Sequence, residues 1–244
     1  GNTVIDLDIL NYYDKTFIKD PVEKRGIGSN FYVWEYPDYT RNYMVIADVA
    51  RGDSKDYSAF HIIDIEECKQ IASFKAQIGT KEFGNMLIAI ATEYNNALLV
   101  IENANIGWNT IQVVIDKGYS NLYYSPKGDG ATSAEAFLQK GYDTMDRSKM
   151  VPGFTMSLKT RPLVIGKLDA YMREKSIIIQ CKRTMEELRT ALKFAQQGLD
   201  ITKATLSNWS RSAPAIYTGG TNKKGAGWSM DMGDGKEEDL TWLL

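Results

Sequence analysis

Two apolar runs that each stop at a carboxylate constrain this chain more than anything else in it. The first, Met44 to Ala47, ends at Asp48; the second, Ala97 to Ile101, ends at Glu102. Neither alternates with polar residues, so both read as strands buried on both faces. A charge at the end of a buried strand is costly unless a cation or hydrogen-bond donors wait there. An Asp in that place also has an ordinary use, capping the following turn through its own backbone. Two such strand ends in one chain suggest a pair of carboxylates meeting at one edge of a sheet, where open α/β sheets bind ligands. Paired carboxylates repel unless one is protonated or a divalent cation lies between them, and hard oxygen ligands of this kind suit magnesium or manganese.

The surrounding pattern supplies a sheet for these ends to meet on. After Asp48 comes a polar turn, Arg51-Gly52-Asp53-Ser54-Lys55-Asp56, and then a second apolar run, Ser58 to Asp64, which together read as a hairpin. Gln70 to Ala76 gives a third strand. Gly79-Thr80 begins a helix whose Phe83, Leu87, Ile90, Ala91 and Tyr94 recur at helical spacing, and Asn95-Asn96 ends it. Beyond Glu102, Asn103, Ala104, Asn105 and Gly107 lead to a helix expected from Asn109, with Asn109 and Gln112 as a capping pair and Gly118 as its stop. Leu122 to Tyr124 reads as a short strand. Residues Ser125 to Ser157 read as a long loop with a β-ribbon in it, broken by Gly128, Gly130, Gly141 and Gly153, and long loops are more often functional than idle. Thr160 is expected to cap a helix with Val164, Leu168, Tyr171 and Met172 as its buried stripe. Ser176 to Gln180 follows as a strand, and Thr184 with Glu187 as a capping box for one more helix. Upstream, Asp6 to Phe17 forms a short helix and Asn30 to Tyr36 a leading strand. The fold class is α/β, a mixed sheet with helices on its faces.

Composition narrows the chemistry. At 244 residues the chain can bury one good core. It has no uninterrupted apolar stretch near the roughly 18 residues of a membrane span, and GNTVIDLDIL lacks a signal peptide's basic start and apolar run, so a cytoplasm is the expected setting. Cys68 and Cys181 read as free thiols. His61 is the single histidine and lies in an alternating strand, which makes it structural and disfavours serine or cysteine triads and histidine-pair metal sites. A net charge of −2 argues against a protein coated in DNA but leaves room for a local basic strip. Lys159 to Arg183 carries seven basic residues against two acidic. Arg51, Lys55, Lys159, Arg161, Lys167 and Arg173 are the candidate phosphate contacts. From Ser210 onward Ser, Gly, Lys and Asn dominate, so Arg211 to Lys236 reads as flexible, and the tip through Trp242 and Leu243 as a frayed end or a partner anchor.

Three antiparallel strands, a helix, and a strand ending in an acid, with the first strand also ending in an acid, is the order of ribonuclease-H-like nucleases. The segments VIADVARGDSKDYSAFHIID, LLVIENANIGWNT and LKTRPLVIGKLDAY resemble the nuclease domain of the large terminase subunit of T4-like tailed bacteriophages. The resemblance covers roughly Asn30 to Thr190. It implies a ribonuclease-H-like core over 41–190, after an N-terminal arm and leading strand over 1–40, with a C-terminal helix over 191–210 and a flexible tail over 211–244. It implies a divalent-metal-dependent endonuclease that cuts concatemeric double-stranded viral DNA with little sequence specificity during headful packaging. Asp48 and Glu102 match its first two metal-binding acids, and Asp56 matches an acid assisting at the same metal, with magnesium or manganese as cofactor and two ions in a complete site. The implied partners are double-stranded DNA, the ATPase half of the same subunit, the portal ring and the small terminase subunit, with no membrane, in the cytoplasm of the infected bacterium.

The chain departs from that family in two places. No G-x-x-x-x-G-K-[ST] phosphate loop occurs, so the nuclease half alone is expected. The family's third catalytic Asp is due shortly after the segment matching Met185 to Thr190, yet Thr190 runs straight into Ala191-Leu192-Lys193-Phe194. Either a stretch is missing between 190 and 191 or the acid is lost; a missing stretch is the expectation, and Glu238-Asp239-Leu240 imitates the motif only in the tail. Two other readings compete: a ribonuclease-H-like junction resolvase with the same acids, and a catalytically silent DNA-binding or portal-docking module.

Overall fold

The structure, a computed structural model, describes residues 5–52, 56–104, 106–126, 147–156 and 160–189. Helix α1 (Leu7–Thr16) opens the chain, its first turn capped where Asp6 Oδ1 accepts from the Asp8 N–H at 3.0 Å. A small hairpin follows, β1 (Glu23–Arg25) with β2 (Phe31–Val33), and then a meander of β3 (Tyr43–Asp48), β4 (Ser58–Asp64) and β5 (Lys69–Ala76). Helix α2 (Thr80–Glu93) carries the chain back to β6 (Leu98–Ile101), which enters the sheet beside β3. The strand order is β1-β2-β5-β4-β3-β6, antiparallel throughout except for the parallel β3–β6 pair. This is the ribonuclease-H-like mixed sheet flanked by helices that the sequence implies. Helix α3 (Gly107–Asp116), a two-stranded ribbon of β7 (Tyr124–Pro126) and β8 (Met150–Pro152), helix α4 (Thr160–Glu174) and a helix over 182–189 complete the described fold.

Helices cover both faces of the sheet. On one face Val45, Phe60, Ile62 and Phe74 meet Phe83 and Leu87 of α2 and Ile111 and Val114 of α3. Phe60 stacks on Phe74 at 5.1 Å and meets Phe31 edge-on at 5.3 Å. Each large side chain buried here contributes about 1.5–3 kcal/mol relative to exposure. A second cluster joins Leu10 and Tyr13 of α1, Leu168 and Met172 of α4, and Ile177, Ile179, Met185 and Leu188. It is tied to the sheet through Gln70, whose Oε1 accepts the Gln180 and Cys181 N–H groups and whose Nε2 lies 2.8 Å from His61 Nδ1. His61 is thus a buried structural residue, its pKa pushed down to about 3 by burial and then by the charges of Arg183 and Lys75. Both cysteines are free thiols; Cys181 is buried and Cys68 half-buried. Among the described residues no helix is long and apolar enough to cross a membrane.

Several boundaries differ from the sequence expectation. β2 stops at Val33 and not Tyr36, because the Trp34 and Glu35 N–H groups both turn to the Ile71 carbonyl and the Trp34 Nε1 donates to the Lys19 carbonyl. β1 escaped notice because Glu23-Lys24-Arg25, an edge strand, has no apolar residue to mark it. Helix α3 begins at Gly107 without a side-chain cap; Gln112 donates to Asp116 at 2.7 Å and does not pair with Asn109. The expected Leu122 strand sits two residues later, as β7, while Leu122 makes an isolated bridge to Leu99. Ser176 to Gln180 is reduced to a single parallel bridge between Ile178 and Lys69. The Thr184–Glu187 capping box does not form, because the helix starts at 182: Cys181 O accepts the Met185 N–H, and Glu187 binds Lys75 at 2.8 Å. On α4 Leu168 and Met172 are buried, Val164 is half-buried and Tyr171 is exposed. The expected 190/191 break, the 191–210 helix and the 211–244 tail lie outside the described residues.

Candidate active site

In the parallel pair of β3 and β6, Ala47 is level with Ile101, and the Glu102 N–H extends the ladder by donating to the Ala47 carbonyl at 3.1 Å. One residue further along, Asp48 and Glu102 therefore stand side by side on strands about 4.8 Å apart. Side chains alternate along a strand, so Ile46 and Asp48 share one face while Val45 and Ala47 enter the core. The same holds for Val100 and Glu102, and these four residues with Phe154 and Met156 line one pocket. The first strand is accordingly not buried on both faces as its unbroken apolar run suggested: Met44, Ile46 and Asp48 are half-buried, facing the pocket side. Its apolar outer face is the wall of the site.

Asp48 also does the ordinary work of a strand-end Asp, since its Oδ1 accepts the Val49 N–H at 2.8 Å. That bond fixes the carboxylate's rotation at the pocket mouth. Glu102 is held more deeply, at 8% exposure. Its backbone is clasped from two sides. A Cβ at Gly107 would lie 2.0 Å from the Glu102 carbonyl oxygen, so only glycine lets α3 start this close. Across the pocket, Gly153 has φ +83°, and a Cβ there would lie 2.6 Å from both the Ile101 carbonyl oxygen and Ile111 Cδ1. This approach brings 153–156 alongside β6: Phe154 donates to the Ile101 carbonyl at 2.7 Å and accepts from the Asn103 N–H at 2.9 Å. Asn103 Nδ2 then donates to the Pro152 carbonyl and to Thr155 Oγ1, and Ser125 Oγ donates to the Gly153 carbonyl and accepts from the Thr155 N–H.

Two carboxylates at one strand level on one pocket wall repel each other, and a divalent cation offsets that repulsion. Their hard oxygen donors fit magnesium or manganese, with water completing the shell. Among the described residues no third His, Cys, Asp or Glu joins them in a ligand group. The structure places Asp48 and Glu102 on one pocket wall; Asp56 is a half-buried loop residue outside that lining. Of the candidate phosphate contacts, Arg51 and Lys167 are exposed, Arg161 is buried, and Arg173 is bridged to Asp169 at 2.8 Å. Lys55 and Lys159 lie outside the described residues. Sequence reasoning missed Asn103, Phe154 and Met156 as parts of the site. The only signal was the length of the loop that delivers the last two.

No protein-family model and no curated protein matches the chain. Solved structures do. The large terminase nuclease from thermophilic phage G20c with bound magnesium superposes with a TM-score of 0.58 at 15% identity, over 99% of this chain and 94% of that one. The large terminase nuclease domain of Thermus phage P74-26 gives 0.55 at 15% identity, over 99% and 92%. The G20c nuclease with bound zinc gives 0.52 at 17% identity, over 77% and 87%. The fold is that of a large terminase nuclease. Within this terminase nuclease fold, Asp48 and Glu102 occupy the adjoining ends of the two parallel strands, where the sheet turns from antiparallel to parallel.

Proposed function

We propose that this chain is a divalent-metal-dependent endodeoxyribonuclease that hydrolyses phosphodiesters of double-stranded viral DNA during phage genome packaging. The single observation that supports it most is the placement of Asp48 and Glu102 at one level of the β3–β6 pair, on the wall of one pocket. The neighbouring structures with bound magnesium or zinc are nucleases of the same fold.

Asp48 and Glu102 would hold the ion. When bound, such an ion supplies Lewis-acid chemistry, activating water and offsetting charge that builds on the phosphoryl oxygens. The protein's own contribution is orientation and exclusion of bulk water. The Val49 N–H turns Asp48, Asn103 anchors the segment carrying Phe154, and Phe154 and Met156 give the pocket an apolar wall that strengthens electrostatics inside it. In this reading cutting shows little sequence preference and serves headful cleavage of concatemers in the bacterial cytoplasm. The ATPase half, portal ring and small terminase subunit act around it. Asp56 would hold a coordinated water, and a third acid beyond Thr190 would complete the shell of a second ion.

The test is supercoiled plasmid nicking in magnesium. Asp48→Asn and Glu102→Gln should each slow cleavage by about a hundredfold or more, a loss of roughly 3 kcal/mol in transition-state stabilisation. Either variant cutting at the parent's rate would sink the assignment. A parent that binds DNA but cuts no substrate favours the silent docking module, for which the presence of only two converging acids among the described residues speaks. Preference for four-way junctions over linear duplex would favour a resolvase.

A further inference from the structure

Ile27 is fully exposed, more so than any other large apolar side chain described. It stands at the tip of the turn joining β1 and β2. Gly26 and Gly28 on either side both have φ +81°, and Ser29 has φ 55°. The Ser29 N–H donates to the Gly26 carbonyl at 3.1 Å, and Asn30 Nδ2 donates to the Ile27 carbonyl at 3.3 Å. The turn is thus closed by its own bonds with an aliphatic group held outward. Burying that group against a partner would be favourable. Turn tips ordinarily carry Asn, Asp or Gly, and an outward Ile held between two glycines is a candidate contact for a partner.

The turn shares an end of the sheet with the acid pair. β2 begins with Phe31 level with Phe74, near the close of β5; Ala76 at that close is level with Ser58, and Asp48 with Ala59. Counting across the strand order, β2 is three strand spacings from β3 and β1 is four, or roughly 14–19 Å. On duplex DNA, at ~3.4 Å per base pair, that is about four to six base pairs from the acids.

The chemistry beside the tip is cationic. Lys24 is exposed, with its Nζ 5.1 Å from the Tyr32 ring centroid. The Arg183 guanidinium lies 4.0 Å from the same ring and donates to the Asn30 and Ser73 carbonyls, directly under the turn. The hairpin's one acid, Glu23, and Glu93 of α2 are both bound by Arg25, at 3.0 and 2.8 Å, which leaves Lys24 and Arg183 as the cations in excess. Cations flanking an aliphatic wedge match a duplex, whose phosphates take the charges and whose minor groove takes the wedge.

We propose that the β1–β2 turn is a second contact with double-stranded DNA, in which Ile27 enters the minor groove about four to six base pairs from the acid pair while Lys24 and Arg183 meet flanking phosphates. The proposal rests on the nuclease reading of the Asp48–Glu102 site. The test is fluorescence anisotropy of the whole chain on an A·T-rich 30-base-pair duplex in EDTA, with Ile27→Ser and Lys24→Ala, and a check by circular dichroism that each variant melts as the parent does. Ile27→Ser should bind five- to tenfold more weakly, and netropsin, a minor-groove ligand, should compete with the parent but not with this variant. Lys24→Ala should bind two- to threefold more weakly and lower the salt slope by about one. If Ile27→Ser binds within twofold of a parent that cuts DNA, the turn contact is overturned and the nuclease reading stands. If the parent binds duplex and Ile27→Ser loses that binding, yet the parent never cuts, the contact stands and the nuclease reading falls. A parent that does not bind duplex overturns the turn contact, and nicking in magnesium then decides the nuclease reading by itself.

Discussion

At the end of the sheet where β3 begins, carboxylates are matched to cations of the chain itself. Arg41 spans Asp64 at 2.5 Å and Glu67 at 2.6 Å, and Lys69 reaches Glu67 and Glu35. At the end where β3 stops, Asp48 and Glu102 share a pocket wall, and the backbone around them is held by close approaches at Gly107 and Gly153. Acids at the first end hold loops to strands. At the second end close backbone approaches do that work, and the two acids line a pocket.

The largest effect that tests this contrast is steric. Gly153→Ala puts a Cβ 2.6 Å from the Ile101 carbonyl oxygen and onto a backbone with φ +83°. Overpacking and left-handed strain together should cost about 3 kcal/mol in urea unfolding and displace Phe154 from the pocket. A loss under about 1 kcal/mol would mean that the 153–156 segment is not held by this approach. Next comes a crossed pair of neutralised acids. Asp64, 1% exposed, accepts from Arg41 and from the Glu67 N–H. Asp64→Asn should therefore lower stability by about 2 kcal/mol while the folded fraction still cuts DNA. Asp48→Asn should do the reverse, losing cleavage while stability changes by less than about 0.5 kcal/mol. If Asp48→Asn proves the more destabilising of the two, the division between the ends fails.

The same division governs what the sequence revealed. The strand ends at Asp48 and Glu102 were legible because apolar runs and a terminal acid are local signals, and the parallel pairing that unites them follows from the β-helix-β order. α2 was legible from its spacing. The positions that shape the pocket were not. Gly153, Phe154 and Met156 act through contacts with β6 some fifty residues away, and nothing local marks them. Helix starts failed for a related reason: Gly107 and Cys181 open their helices through tertiary approach and backbone bonds, which overrode the nearby Asn109–Gln112 and Thr184–Glu187 capping patterns. The all-charged β1 is a strand because the β2 edge offers it partners, and composition alone points the other way.

His61 lies between the two ends, level with Ile46 on β3, and gives the smallest expected effect. Burial, then Arg183 and Lys75, depress its folded pKa to about 3 from an ordinary 6.5. Between those values the unfolded chain holds a proton that the folded chain refuses, so this contribution is complete above pH 6.5 and drains away as pH falls toward 3. From pH 7 to 5.5 the loss should be about 1 kcal/mol. His61→Gln keeps an acceptor for the Gln70 amide without titrating, so its unfolding free energy should fall by about 1 kcal/mol less than the parent's over that interval. Identical pH slopes for parent and variant would show that an imidazolium is tolerated beneath the sheet. In that case the Gln70 network joining β4 to the Gln180–Thr184 segment must open in acid, and the face opposite α2 would be softer than either end.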